Sequence, residues 1–155
     1  VRTFDGVAEL ARSLGHIGES PWRRLTQSEV TAFAEATGDR QWIHVDPDRA
    51  ATGPFGRAIG HGYYLLALLP VLMAEVFAID GVGAVVNTGV DHLRFHRPVP
   101  VGARLRISVA LTEAELRRRG VAEVAFEVGL EVEDVADPAM TATIRQMVRP
   151  PMMRP

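Results

Sequence analysis

Gly60-His61-Gly62-Tyr63-Tyr64-Leu65-Leu66-Ala67-Leu68-Leu69-Pro70-Val71-Leu72-Met73-Ala74-Glu75-Val76-Phe77-Ala78-Ile79 is the stretch whose reading decides the fold. From Gly62 onward it carries a single charge, Glu75, and one proline, Pro70. The run approaches membrane length, but the charge and the proline inside it point to a helix buried in a protein core. Both faces are apolar, which predicts burial on nearly all sides, with a kink or break at Pro70. Gly60-His61-Gly62 marks where the helix begins.

After Gly83 the apolar period changes from helical to two. Val85–Val90, Leu93–Phe95, Ala103–Leu111, Val121–Val132 and Thr141–Val148 read as strands. Arg117-Arg118-Arg119-Gly120 reads as a solvated hairpin tip. Several long antiparallel strands after one buried helix predict an α+β architecture, a sheet wrapped around a central helix. Before the helix, Asp5 is placed to cap a short helix through Val7, Leu10 and Leu14 that ends at Gly15. Gly18–Leu25 reads as extended. Thr26 and Glu29 form a capping box for a second helix, which Gly38 stops. His44–Arg57 reads as irregular, apart from a turn or short helical segment at Asp46-Pro47-Asp48.

The length of 155 residues suits one domain, spanning residues 1–155, with no internal repeat or linker. The net charge of −2 lacks the basic excess that nucleic acid or an acidic membrane would require. Cysteine and lysine are both absent, which excludes disulfides, thiolate chemistry and a lysine Schiff base. No signal-peptide pattern is present, so a cytoplasmic location is expected.

The chemistry-bearing stretch is Ala36-Thr37-Gly38-Asp39-Arg40-Gln41-Trp42-Ile43-His44-Val45-Asp46-Pro47. Asp39 follows a helix stop, and His44 lies five residues on. A carboxylate and an imidazole that converge can hold a water molecule, one group taking a proton while the other gives one. Gly62, at the start of the central helix, can offer an unpaired amide at the positive end of the helix dipole. A metal site would draw on Asp39, His44, Asp46 and His61, but no standard ligand spacing is present, and no metal or cofactor is expected. His92 and His96 read as surface residues.

Phe33 through Asp39 and His44 to Ala50, with Gly60-His61-Gly62 and with Arg94-Phe95 through Pro98-Val99-Pro100-Val101-Gly102, resembles the MaoC-like, (R)-specific enoyl-CoA hydratases. The likeness is nearest to short, single-hot-dog actinobacterial members. Where that family usually has Asn-Pro, this chain has Gln41-Trp42, with the spacing kept; Ala67 stands where some members have a serine. The resemblance implies a hot-dog fold and reversible addition of water to trans-2-enoyl thioesters, carried by CoA or by a carrier protein. It assigns Asp39 and His44 as the catalytic dyad; charge building on the thioester oxygen asks for a donor as well, and the Gly62 amide is placed to supply it. Gln41, Trp42, Phe55, His61, Tyr63 and Tyr64 become candidate pocket residues, with His61 also placed to tie the Asp39 loop to the helix start. It implies a homodimer as well, since a single hot-dog sheet leaves an edge strand open. Two other readings stand beside it. One is a hot-dog thioesterase, for which Glu75 is the only acid on the helix. The other is a non-catalytic acyl-thioester-binding subunit of a heterodimeric dehydratase.

Overall fold

The computed structural model describes residues 1–151. Its main sheet has the strand order β2 (Gly15–Glu19), β6 (Arg104–Leu116), β7 (Ala122–Val132), β8 (Met140–Arg149), β5 (Ala84–Phe95), all antiparallel. The short β3 (Arg23–Arg24) also pairs with β6. Alternation along β8, most of β7 and β6 as far as Leu111 turns one face inward. Leu105, Ile107, Val109, Phe126, Val128, Leu130, Met140 and Ile144 on that face are buried. They pack into one core with Leu65, Leu68, Leu69, Leu72, Met73 and Val76 of α5 (Gly62–Val76). Burying one such side chain is worth roughly 1.5–3 kcal/mol, so the helix stripe and the sheet face hold each other in register. The α+β hot-dog architecture expected from the sequence is the one observed.

Pro70 lies inside α5, which runs on through it and ends at Val76. Phe77–Ile79, expected to be helical, is instead β4, paired in parallel with β1 (Arg2–Phe4). The expectation that α5 is enclosed on all sides does not hold for a single chain: Tyr63, Ala67, Pro70, Val71 and Ala74 are exposed. These positions recur at helical spacing, so they form one apolar stripe facing away from the sheet.

The other departures are local. The first helix, α1 (Gly6–Ala11), stops well before Gly15, and Asp5 sits at its N-cap without a side-chain bond. Gly18–Leu25 divides between β2 and β3. Val85–Val90 and Leu93–Phe95 are one strand, β5, bulged between Asp91 and Arg94 with His92 at φ 52°. β6 continues past Leu111 to Leu116 through a second bulge. His44–Arg57 is not irregular throughout: α3 (Trp42–Val45) holds His44, and α4 (Pro47–Ala51) follows at once. The Asp46 side chain accepts from the Arg49 amide and Pro47 occupies the first turn, which together start α4. Arg117 at the hairpin tip pairs with Glu115 and Glu123, so its charge is spent within the chain.

Candidate active site

Four elements bring the site together. α2 (Gln27–Thr37) begins with the reciprocal Thr26–Glu29 capping box and ends at Gly38, whose φ of 83° is the left-handed conformation glycine adopts without strain. That stop releases the chain at Asp39. The backbone carbonyl of Gln41 accepts from the His44 amide at 2.9 Å, closing α3 and turning the His44 ring inward. Gln27, at the start of α2, donates from Nε2 to the His44 carbonyl at 2.7 Å. The segment before α5 is anchored to the loop after β5 by Gly60 N–H donating to the Val99 carbonyl at 2.9 Å.

His44 is buried, and its Nδ1 lies 2.7 Å from the Ile59 carbonyl. A carbonyl only accepts, so Nδ1 carries the proton and Nε2 keeps its lone pair. Burial pushes the His44 pKa below its ordinary value near 6.5; the Ile59 carbonyl pulls the other way, His61 adds to the lowering and Asp39 opposes it. A neutral imidazole with a bare Nε2 is the form a general base needs.

His61, only 2 % exposed, places Nε2 at 2.9 Å from the Asp39 backbone carbonyl. Its ring stacks on His44 with centroids 3.8 Å apart and an interplanar angle of 25°. One polar atom from each of Asp39, His44 and His61 falls within 4.8 Å of the other two. These are the residues that would hold a metal. Stacked rings, however, direct their in-plane lone pairs along nearly parallel planes, and His44 Nδ1 and His61 Nε2 already serve carbonyls. Two imidazole ligands meeting on one ion would require one ring to turn. The arrangement suits proton transfer better than metal ligation. Asp46, the fourth metal candidate from the sequence, caps α4 instead.

A cavity of about 310 Å³ opens beside His44, lined by Ile59, Gly60, Gly62, Leu65 and Phe95–Val99. Asp39 does not line it; its side chain, 43 % exposed, stands at solvent beside the two rings. Gly62 does line it, at the first turn of α5, where helix amides have no intrahelical acceptor. The space left by its missing side chain is not open to a ligand: a Cβ there would meet the Phe95 ring at 3.0 Å. Phe95, His96 and Arg97 line the cavity too, although none of them is a pocket candidate in the sequence. No periodicity signals this, because the loop after β5 reaches the site only through tertiary folding. His96 is exposed, as expected, and bonds Thr141 Oγ1 through Nε2 at 2.8 Å.

The remaining pocket candidates lie elsewhere. His61 sits behind His44 and outside the cavity wall. Trp42 turns toward α4, with the Arg49 guanidinium 4.4 Å over its ring and Gly53 so close that a Cβ would come within 2.8 Å. Gln41 is the exposed N-cap of α3, and Phe55 is exposed in the following loop. Tyr64 packs on Phe33, whereas Tyr63, 70 % exposed, meets Phe95 edge-on. Glu75 is exposed in the last turn of α5. Thirteen residues separate it from Gly62, about 20 Å along a helix.

Residues 13–135 match the family described as MaoC like domain. The chain belongs to the MaoC-like family. It is similar to 3-hydroxyacyl-thioester dehydratase Z of Mycobacterium tuberculosis, at 47% identity over 143 residues covering 92% of this chain and 95% of the relative. Among solved structures it superposes on an R-hydratase from Pseudomonas aeruginosa with a TM-score of 0.72 and 26% identity, covering 94% and 86% of the two chains. It also superposes on an (R)-hydratase from Aeromonas caviae involved in PHA biosynthesis, with a TM-score of 0.65 and 28% identity, covering 91% and 100%. The dehydratase and hydratase relatives of this MaoC-like chain are thus similar to it over nearly its whole length. Among the described residues no helix is long and apolar enough to cross a membrane.

Proposed function

We propose that this MaoC-like protein catalyses the reversible hydration of trans-2-enoyl thioesters to (R)-3-hydroxyacyl thioesters. The observation that carries the reading is the convergence of Asp39 with His44, whose Nδ1 is engaged by the Ile59 carbonyl and whose side chain belongs to the lining of the cavity at the N-terminus of α5. The dehydratase and R-hydratase relatives support the same chemistry.

In the hydration direction, Asp39 and His44 hold one water. His44 Nε2 takes a proton as the water oxygen bonds to the β-carbon. The electron pair of the double bond moves onto the thioester oxygen as an enolate. The Gly62 amide, at the positive end of α5, donates to that oxygen; such preorganised donors are often the largest catalytic term. A proton is then delivered to the α-carbon with help from Asp39. The proton taken by His44 is the one returned, so one water is added across the double bond and the dyad ends as it began. The exposed position of Glu75 at the far end of α5 weighs against the thioesterase reading.

The protein acts as a homodimer in this account. β5 is a twelve-residue edge strand with Val85, Val86 and Val90 exposed, and the apolar stripe of α5 lies exposed as well. A pocket of about 300 Å³ spans the two elements, lined by Pro70, Met73, Ala74, Val85 and Asn87 among others. An uncovered edge and an apolar stripe meeting at one place favour a second copy related by a two-fold axis.

The test is to incubate the purified protein with enoyl-CoAs of increasing chain length and resolve the product by chiral chromatography. The (R)-3-hydroxyacyl product is expected. The (S) product, or free CoA from a saturated acyl-CoA, would contradict the reading.

A further inference from the structure

His61 touches both members of the dyad. Its Nε2–H donates to the backbone carbonyl of Asp39 at 2.9 Å, and its ring face lies on His44 with centroids 3.8 Å apart. On its other side Phe33 of α2 packs at 5.0 Å, so the imidazole is held between the helix that ends before Asp39 and the ring that abuts the cavity. His61 is also the N-cap residue of α5, and its backbone carbonyl accepts from the Leu65 amide at 3.1 Å. The imidazole ties the helix start to the dyad.

Its protonation state follows from the hydrogen bonds. Nε2 faces a carbonyl and must carry a proton. Nδ1 is buried with no partner. A proton there would leave a buried donor unsatisfied, which is costly, so the hydrogen-bond pattern favours the tautomer with its proton on Nε2. The chain maintains a buried nitrogen without a partner at the centre of its site, a feature that calls for a physical reason. A ring is needed to stack on His44, and an N–H at the ε position is needed to reach the Asp39 loop. Histidine supplies both. Phenylalanine lacks the donor, and glutamine lacks the face.

We propose that His61 is the positioning residue of the dyad, holding the Asp39 loop by a hydrogen bond and the His44 ring plane by stacking. The role rests on the hydratase reading for its consequence in turnover, though not for its structural content. Like Asp39, His61 is not among the residues lining the cavity, and its role runs through its contacts with Asp39 and His44.

Three variants divide the role. His61→Ala removes both tethers, His61→Gln keeps an N–H of similar reach, and His61→Phe keeps the stacked ring. Two readouts are taken on each: the kcat and KM of hydration, and hydrogen exchange at the Asp39 and Arg40 amides. For His61→Ala, kcat falls about 100-fold and KM changes less than about threefold, because substrate contacts are intact while two supports are lost, each worth about tenfold. His61→Gln and His61→Phe each recover about tenfold in kcat. Amide exchange at Asp39 and Arg40 quickens in His61→Ala and His61→Phe and returns toward wild type in His61→Gln.

A folded His61→Ala variant with wild-type kcat would overturn the proposal, as would exchange rates insensitive to the donor. Should His61→Ala fail to fold, the other two variants and the nitrogen spectrum of the wild-type imidazoles decide: His61 must show a protonated Nε2 and a bare Nδ1, and the reverse pattern contradicts it. If the wild type hydrates no enoyl thioester, yet exchange and nitrogen spectra behave as stated, the hydratase reading fails and the His61 tether stands.

Discussion

The ring of Phe95 fills the space where a side chain at Gly62 would stand, within 3.0 Å of the position a Cβ would take. Gly62 therefore answers two demands at once. It presents an amide at the start of α5, and it lets an aromatic ring from the end of β5 lie flat on the helix beside the cavity.

Gly62→Ala tests that relationship. Phe95 is half-exposed and can swing away, and alanine is a better helix former than glycine. Thermal stability is expected to change by no more than about 1 kcal/mol. The displaced ring crowds the cavity, so kcat/KM falls by about 10- to 100-fold, as expected when a substrate-positioning surface shifts by about an ångström. The double variant Gly62→Ala with Phe95→Ala regains part of that loss. Steady-state kinetics and thermal melts of the three proteins check it; a double variant no better than Gly62→Ala would count against crowding by Phe95.

The depressed pKa of His44 gives a pH signature in both rate and stability. Burial disfavours the imidazolium in the folded chain, and the unfolded chain takes up its proton near pH 6.5. Between the folded value and 6.5 the unfolded state therefore binds more protons, so this contribution to stability is complete above about 6.5 and is lost as pH falls through the folded pKa. The acid limb of the kcat/KM profile should likewise have its midpoint below 6.5, because the free enzyme needs His44 neutral. Melts from pH 5 to 8 on wild type and His44→Gln isolate the contribution as the difference between the two curves. A wild-type acid limb centred above 6.5 would contradict the electrostatics described.

Association is tested at Val86, exposed on edge strand β5. Val86→Asp places a carboxylate where a second copy would bury it, and a buried unpaired charge costs several kcal/mol. The dimer constant measured by sedimentation should weaken by at least about 100-fold, with the circular dichroism of the chain unchanged. A dimer of wild-type affinity would move the interface away from β5.

Most of the sheet and the central helix were legible because their signals are periodic. The alternation in β6, β7 and β8 reports which face is buried, and the apolar run of α5 marks it as the core helix. The Thr26–Glu29 box and Gly38 were legible because capping chemistry is local. The bulge at His92 was not: a register slip leaves little trace in composition, so one strand read as two. The exposed stripe of α5 reads as core because an apolar residue facing away from the sheet has the same composition as one facing it. In the site, spacing, resemblance and helix-end chemistry single out Asp39, His44 and Gly62; the fold brings Asp39 close to His44 and puts His44 and Gly62 on one cavity. The Ile59 carbonyl and the Gln27 amide that serve His44 come from residues with no chemical signature in sequence. Trp42 read as a pocket wall, but its ring is taken up by Arg49 and the close approach of Gly53.

The central claim is that Asp39 and His44 together hydrate an enoyl thioester. The most direct measurement follows the ultraviolet absorbance of crotonyl-CoA and longer trans-2-enoyl-CoAs with wild type, Asp39→Asn and His44→Ala. The account predicts rapid loss of the enoyl absorbance with wild type. Each variant, folded by circular dichroism, should be slower by about 100- to 10,000-fold, the range expected when a positioned acid–base group is removed. Wild-type rates in a folded Asp39→Asn or His44→Ala variant would contradict it.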